Sequence, residues 1–127
     1  MLPRWPDGTV AVLSTAGPHA IPVSTAIRAD DDTIHLALAH KRDSLRRLRE
    51  ESLCALTILA AGVAVTAYGR ASVVDDDERV TYVRLDVDEV ADHDQPTFEL
   101  DDGVSWHWTD DGAEDGDQQV RERLRSL

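Results

Sequence analysis

"TIHLALAHKRDSLRRLREES", residues 33 to 52, decides the fold. Its first seven residues alternate: Ile34, Leu36 and Leu38 fall on one face, Thr33, His35, Ala37 and Ala39 on the other. A period of two is the mark of a strand with one face on a core. The period then changes. Leu45 and Leu48 stand three apart, which brings them together on one face of a helix. Asp43 or Ser44 can cap that helix, since either side chain can accept a hydrogen bond from a free backbone N–H. The spacing predicts a strand running into a helix of about two to three turns.

Five cations crowd this junction, Lys41, Arg42, Arg46, Arg47 and Arg49, in a chain with 25 acidic and 13 basic residues. A helix N-terminus already carries about half a positive charge, so cations there are misplaced. A bound anion would reverse the balance, because free N–H groups, a serine hydroxyl and cationic side chains can converge on it. A phosphate is the natural candidate. The alternative is a solvated helix face, with Arg46–Glu50 and Arg47–Glu51 as weak i,i+4 pairs.

Upstream, residues 1–8 read as an irregular arm. "TVAVLST" (9–15) reads as a strand, "AGPH" (16–19) as a turn, and "AIPVSTAIRA" (20–29) as one strand with Ile21, Val23, Thr25 and Ile27 on a face. Pro22 places that strand at an edge or near its start. "DDD" (30–32) suits a hairpin turn. Downstream, the apolar run "LCALTILA" (53–60) fits a strand buried on both faces. "VAVTAYGRASVV" (63–74) is a strand interrupted by Gly69, the sign of a bulge or of close backbone approach. "DDDE" (75–78) turns the chain into "RVTYVRLDVDEV" (79–90). "VSWHW" (104–108) reads as a last strand, and residues 109–127 as an acidic tail with a terminal helix in "QQVRERLRSL" (118–127). Residues 1–127 form a single domain on this reading. Six or seven short strands with one early helix point to a small antiparallel barrel. A parallel sheet would need a helix between most strands.

Composition excludes several functions. A formal charge of −12 and a pI near 4.6 oppose nucleic-acid binding and docking on anionic membranes. No stretch approaches the roughly 18 apolar residues of a membrane span, and the N-terminus has no apolar signal core. The single Cys54 makes no internal disulfide, so a reducing cytoplasm is expected, and no Cys/His spacing resembles a zinc site. The excess of arginine, 12 to one lysine, reads as compositional bias. From Asp86 to Asp117 there are 13 acidic residues and no Lys or Arg, so charge segregates along the chain.

Among single residues, His35 reads as a partly buried structural histidine, and Cys54 as a buried, inert thiol. His40 either meets a phosphate or lies in solvent. Tyr68 and Arg70 border a groove or a dimer interface. Trp106 and Trp108 cover core or interface, or stack on a ring. No Ser/His/Asp arrangement is supported, because spacing alone cannot show one.

The order of elements, with "IPVSTAIRADD", "TIHLALA", "HKRDSLRRLREES", "LCALTIL" and "VAVTAYGRASVVDDD", resembles the pyridoxamine 5'-phosphate oxidase-like family of flavin-binding split-barrel proteins. The resemblance covers about residues 8 to 90, and the "GRASVVDDD" strand and the Lys/Arg-rich L-x-x-L helix are its best marks. It implies a mainly β fold, a six-stranded antiparallel split β-barrel with one short helix after strand three, assembled as a homodimer. It further implies FMN, or alternatively the deazaflavin coenzyme F-420, in a groove between protomers. By the same resemblance, Val23, Ser24 and Thr25 on the second strand contact the ring or ribityl chain. Lys41, Arg42 and Ser44 at the helix start hold the phosphate, with Arg47 a further candidate. Family members commonly end this helix with Leu-Arg-Arg-Asp-Pro-Arg. Here "LRREES" stands, without the proline, and the register can be anchored on Leu45 or on Leu48. No C-terminal basic segment of the kind that holds pyridoxal phosphate is present.

These features lead to two expectations. The first is a cytoplasmic, homodimeric FMN-dependent oxidoreductase acting on a small unsaturated or heteroaromatic substrate. FMN is preferred because an acidic exterior repels the deazaflavin's polyglutamate tail. The second is a non-catalytic flavin- or haem-binding, storage or interaction module on the same barrel.

Overall fold

A computed structural model describes residues 1–127. The elements run β1 (Ala11–Thr15), β2 (His19–Val23), β3 (Ile27–Asp30), β4 (Thr33–Ala39), α1 (Asp43–Glu50), β5 (Leu53–Ala60), β6 (Val63–Asp76), β7 (Val80–Asp92) and α2 (Asp111–Ser126). All seven strands lie in one sheet of order β2-β1-β5-β6-β7-β4-β3, and every neighbouring pair is antiparallel. The two outermost strands, β2 and β3, are consecutive in the chain. Only Ser24, Thr25 and Ala26 separate them, a span of at most about 14 Å. The ends of the sheet must therefore meet, which curls it into a barrel with a seam between β2 and β3.

The mainly antiparallel barrel matches the expectation, with a corrected count. Seven strands are present rather than six, and the short helix follows the fourth. The expected strand over 20–29 breaks at Ser24–Ala26, where the chain leaves β1 and turns to join β4. Thr25 holds this corner: its hydroxyl donates to the Ala37 carbonyl at 3.0 Å and accepts from the Ala37 N–H at 3.1 Å. One side chain thus stands in for a rung of the ladder. "VSWHW" is not a strand but irregular chain, and it pairs with no strand of the sheet.

Alternation places Ile34, Leu36 and Leu38 of β4 inside, with Leu13, Leu56, Ile58, Val65, Val83 and Leu85 from the other strands. Leu45 and Leu48 of α1 close one end of this core. The arm is docked, with Leu2 buried in the core and the Trp5 indole N–H bonded to the Ala26 carbonyl. The other face of β4 is covered by α2, whose Val120 and Leu124 pack on Ile27, Ala37 and Tyr82. His35 lies on this covered face, buried as read from the sequence, and burial pushes its imidazole below its usual range.

β5 departs from the reading that both its faces are buried. Leu53 and Leu59 are 46% and 43% exposed, so its outer face is open. Gly69 sits at a register shift in β6, where a Cβ would lie 1.9 Å from the Asp86 carbonyl oxygen. Both readings of this glycine, bulge and close approach, hold. No helix is long and apolar enough to cross a membrane.

Candidate cofactor groove

The end of β4 organises the candidate site. Thr25 is fixed on Ala37, and two residues later the strand ends at Ala39. The Arg42 N–H closes a turn on the Ala39 carbonyl at 3.0 Å, and α1 begins. Four residue steps separate Ala37 from Lys41, at most about 14 Å. The corner residues and the helix entrance therefore share one rim of the barrel.

The sequence-predicted residues have unequal freedom there. Val23 is buried in the core, and Ser24 offers its carbonyl to Arg121 Nη2 at 2.9 Å. The Thr25 hydroxyl is engaged by Ala37. Lys41 and Arg42 are exposed, with no side-chain hydrogen bond or ion pair. Ser44 is fully buried, and its Oγ lies 2.9 Å from His19 Nε2, tying α1 to β2. The cap of α1 is neither Asp43 nor Ser44 but Arg42, in extended conformation and without a side-chain cap bond. Asp43 instead accepts from Arg47 Nε at 2.7 Å and Arg46 Nη2 at 2.6 Å, and these guanidinium groups hold its carboxyl down to about 2. Arg47 also donates to the Ala16 carbonyl, and Arg46 to Glu50 at 3.0 Å. The charge imbalance at the helix is thus partly cancelled within the helix, and Lys41 and Arg42 remain without a carboxylate.

A cavity of about 310 Å³ opens beside Thr25. Ala37 and Val80 form its wall, Trp108 an aromatic side, and α2 its cover. The space exists because α2 presents Gly112, Ala113 and Gly116 there, where larger side chains would fill it. Arg79 also lines it. Its Nη1 would lie 2.7 Å from a Cβ on Gly116, and it forms no ion pair. Val80 pairs with Ala39, so Arg79 sits opposite the turn that carries Lys41. It is a third cation on this rim. Sequence reading passed over it because only the β7–β4 pairing brings it here.

Asp77 fixes the local backbone by accepting from the N–H groups of Arg79 and Val80 at 2.8 and 2.9 Å. Those bonds, the Val80 one first, lower its pKa. Tyr82 Oη donates to the same carboxylate at 2.8 Å, and burial first, then this bond, pushes the phenol up to about 12. Trp106 and Trp108 meet edge to face, 5.2 Å apart at 83°, and the Trp106 N–H donates to the Gly8 carbonyl. Arg121, 7% exposed, is paired with Asp117 at 2.7 Å and anchors α2 to the corner through Ser24. Burial raises the Cys54 thiol to about 11, which keeps it inert at neutral pH.

Among solved structures, nitrilotriacetate monooxygenase component B from Mycobacterium thermoresistibile is similar over 70% of this chain and 72% of its own, at 12% identity and a TM-score of 0.58. HupZ from group A Streptococcus is similar over 78% of this chain and 90% of its own, at 11% identity and a TM-score of 0.56. An FAD-binding protein from Mesorhizobium loti is similar over 65% of this chain and 83% of its own, at 12% identity and a TM-score of 0.55. At these identities the likeness is one of fold. No curated protein matches the chain. The family model for pyridoxamine 5'-phosphate oxidase matches residues 3–102, from the docked arm through all seven strands. A match of that extent, on a barrel seamed between β2 and β3, makes this chain a member of the pyridoxamine 5'-phosphate oxidase family.

Proposed function

We propose that the protein is a flavin-dependent oxidoreductase, with FMN as its cofactor and a small unsaturated or heteroaromatic molecule as substrate. The observation that carries this reading is an aromatic-walled cavity lined by Arg79, with Lys41 and Arg42 just beyond the end of β4, three cations that have no carboxylate in a chain of charge −12. The donor set fits a phosphate-bearing ring cofactor. Lys41, Arg42 and Arg79 would hold the phosphate, and Thr25, Val80 and Trp108 would border the ring. Ser44 acts by positioning, through His19, rather than by contact. When bound, the flavin supplies hydride or electron transfer. The chain's part is to bind and orient, to exclude water under α2, and to hold positive charge beside the ring. A volume near 310 Å³ is within the usual range of small-molecule sites.

Homodimer assembly is part of the proposal. The outer face of β1, β5 and β6 exposes Val12, Leu53, Leu59 and Tyr68, which a second copy would cover. The single Cys54 supports a cytoplasmic setting.

The test is absorbance titration with FMN and with the deazaflavin. Lys41→Ala with Arg42→Ala is expected to weaken FMN binding at least tenfold while the fold is kept. Unchanged affinity removes both residues from the phosphate site. A second reading, a non-catalytic flavin- or haem-binding, storage or interaction module, is favoured by one observation: α2 covers the β3–β4 face while the Thr25 hydroxyl and Ser24 carbonyl are engaged internally. Colourless protein that retains neither flavin supports that reading. Bleaching by a reductant and reoxidation on adding substrate supports the enzyme.

A further inference from the structure

A second cavity, of about 340 Å³, lies between α1 and the second half of β6. Its floor is Leu45, Leu48 and Val83, side chains at the margin of the barrel core. Val73 forms one wall and is 43% exposed. The rim is polar, with Arg49 and Ser52. Ser52 is held to β6 by its carbonyl, which accepts from the Ala71 N–H at 2.9 Å.

The charge on this rim is unbalanced. Arg49 has no side-chain hydrogen bond and no ion pair, although Glu50 and Glu51 follow it. Glu50 is taken by Arg46, and Glu51 accepts from the Leu53 N–H. Arg70 reaches Ser52 Oγ at 3.5 Å and also has no carboxylate. In a chain with 25 acidic and 13 basic residues, two guanidinium groups without a counter-ion beside an apolar hollow are a specific arrangement. An apolar floor needs an apolar ligand body, and a guanidinium fork matches a planar carboxylate through two parallel hydrogen bonds.

We infer that this cavity binds a small amphipathic monocarboxylate. Its head group meets Arg49, with Ser52 and Arg70 beside it, and its apolar chain or ring lies on Leu45, Leu48 and Val83. At about 30 Å³ for each displaced water, the cavity accepts a body of roughly a dozen non-hydrogen atoms. The site is separate from the Thr25 groove and does not depend on the flavin reading.

The probes are decanoate, decanol and decylamine, titrated calorimetrically into the full chain. Decanoate is expected to saturate one site per chain, with decanol at least tenfold weaker and decylamine silent. Arg49→Gln, an exposed position that leaves the fold intact, is expected to weaken decanoate at least tenfold and to leave decanol unchanged. Methyl shifts of Leu45, Leu48, Val73 and Val83 should follow the decanoate isotherm in the unmodified chain, which locates the site without a variant. Equal affinity for decanoate and decanol overturns the inference. So does an unchanged Arg49→Gln, or methyl shifts confined to Val80 and Val120. Absence of saturable decanoate binding also overturns it, and a dimer that Val73→Asp dissociates would then show that a second copy covers this face.

Discussion

Gly69 shows how sharply one residue constrains this barrel. A methyl group there would meet the Asp86 backbone, which cannot rotate away as a side chain can. Gly69→Ala is therefore expected to destabilise the protein by about 3 kcal/mol, read from denaturant midpoints, while Gly62→Ala has open space around it but a strained φ of +67°. Tyr82 gives a second test. Its phenol is neutral in the fold and raised to about 12, against about 10 when unfolded. The stability from this shift is fully present below pH 10 and is lost as pH rises from about 10 to about 12. Phenolate absorbance in a Tyr68→Phe background should show Tyr82 ionising late, and Asp77→Asn should bring its ionisation earlier. Gly69 was legible because a glycine inside an alternating strand has few explanations. Ser44 also has a signal in the sequence for its burial. It lies one before Leu45 and four before Leu48, on the apolar stripe of α1, and that phase buries it.

The two helices were legible to different degrees. Leu45 and Leu48 gave α1 directly. The sequence placed the second helix at 118–127, yet α2 starts at Asp111. Gly112 and Gly116 hid its first two turns, since glycine is a poor helix former. The Asp110 carboxylate starts the helix by accepting from the Ala113 N–H at 2.8 Å. Those same glycines hollow the cavity beside Thr25. Leu124 is fully buried against the sheet, and Leu124→Ala is expected to cost about 3 kcal/mol. Hydrogen exchange should then accelerate in α2 and on β3 before the other barrel strands. Equal acceleration throughout would mean that α2 does not loosen separately from the barrel. The corner at Ser24–Ala26 was not legible, because alternation runs through it unbroken and only the partner strands change.

At the scale of the molecule, the antiparallel barrel follows from strand number and short connections. Its closure does not. The order β2-β1-β5-β6-β7-β4-β3 depends on pairings far apart in sequence, and these also decide that Arg79 joins Lys41 and Arg42 at one rim. The cation cluster was visible in the sequence, but not that Asp43 would take Arg46 and Arg47 out of it. Charge acts on the whole fold as well. The net −12 includes the stretch from Asp86 to Asp117, which has no Lys or Arg, and the ion pairs are mostly exposed and individually weak. Screening relieves repulsion more than it weakens those pairs. The melting temperature is expected to rise between about 10 mM and about 1 M salt, and a fall would mean that the pairs dominate.

The edge-to-face tryptophans give the molecule an optical reporter of its own. Trp108 borders the Thr25 cavity, Trp106 lies on Gly8, and Trp5 is bonded to the corner at Ala26, whereas no indole lines the hollow at Arg49. Quenching of intrinsic fluorescence should therefore accompany occupancy of one hollow and not the other. Two ligands added in turn can then be told apart without a label.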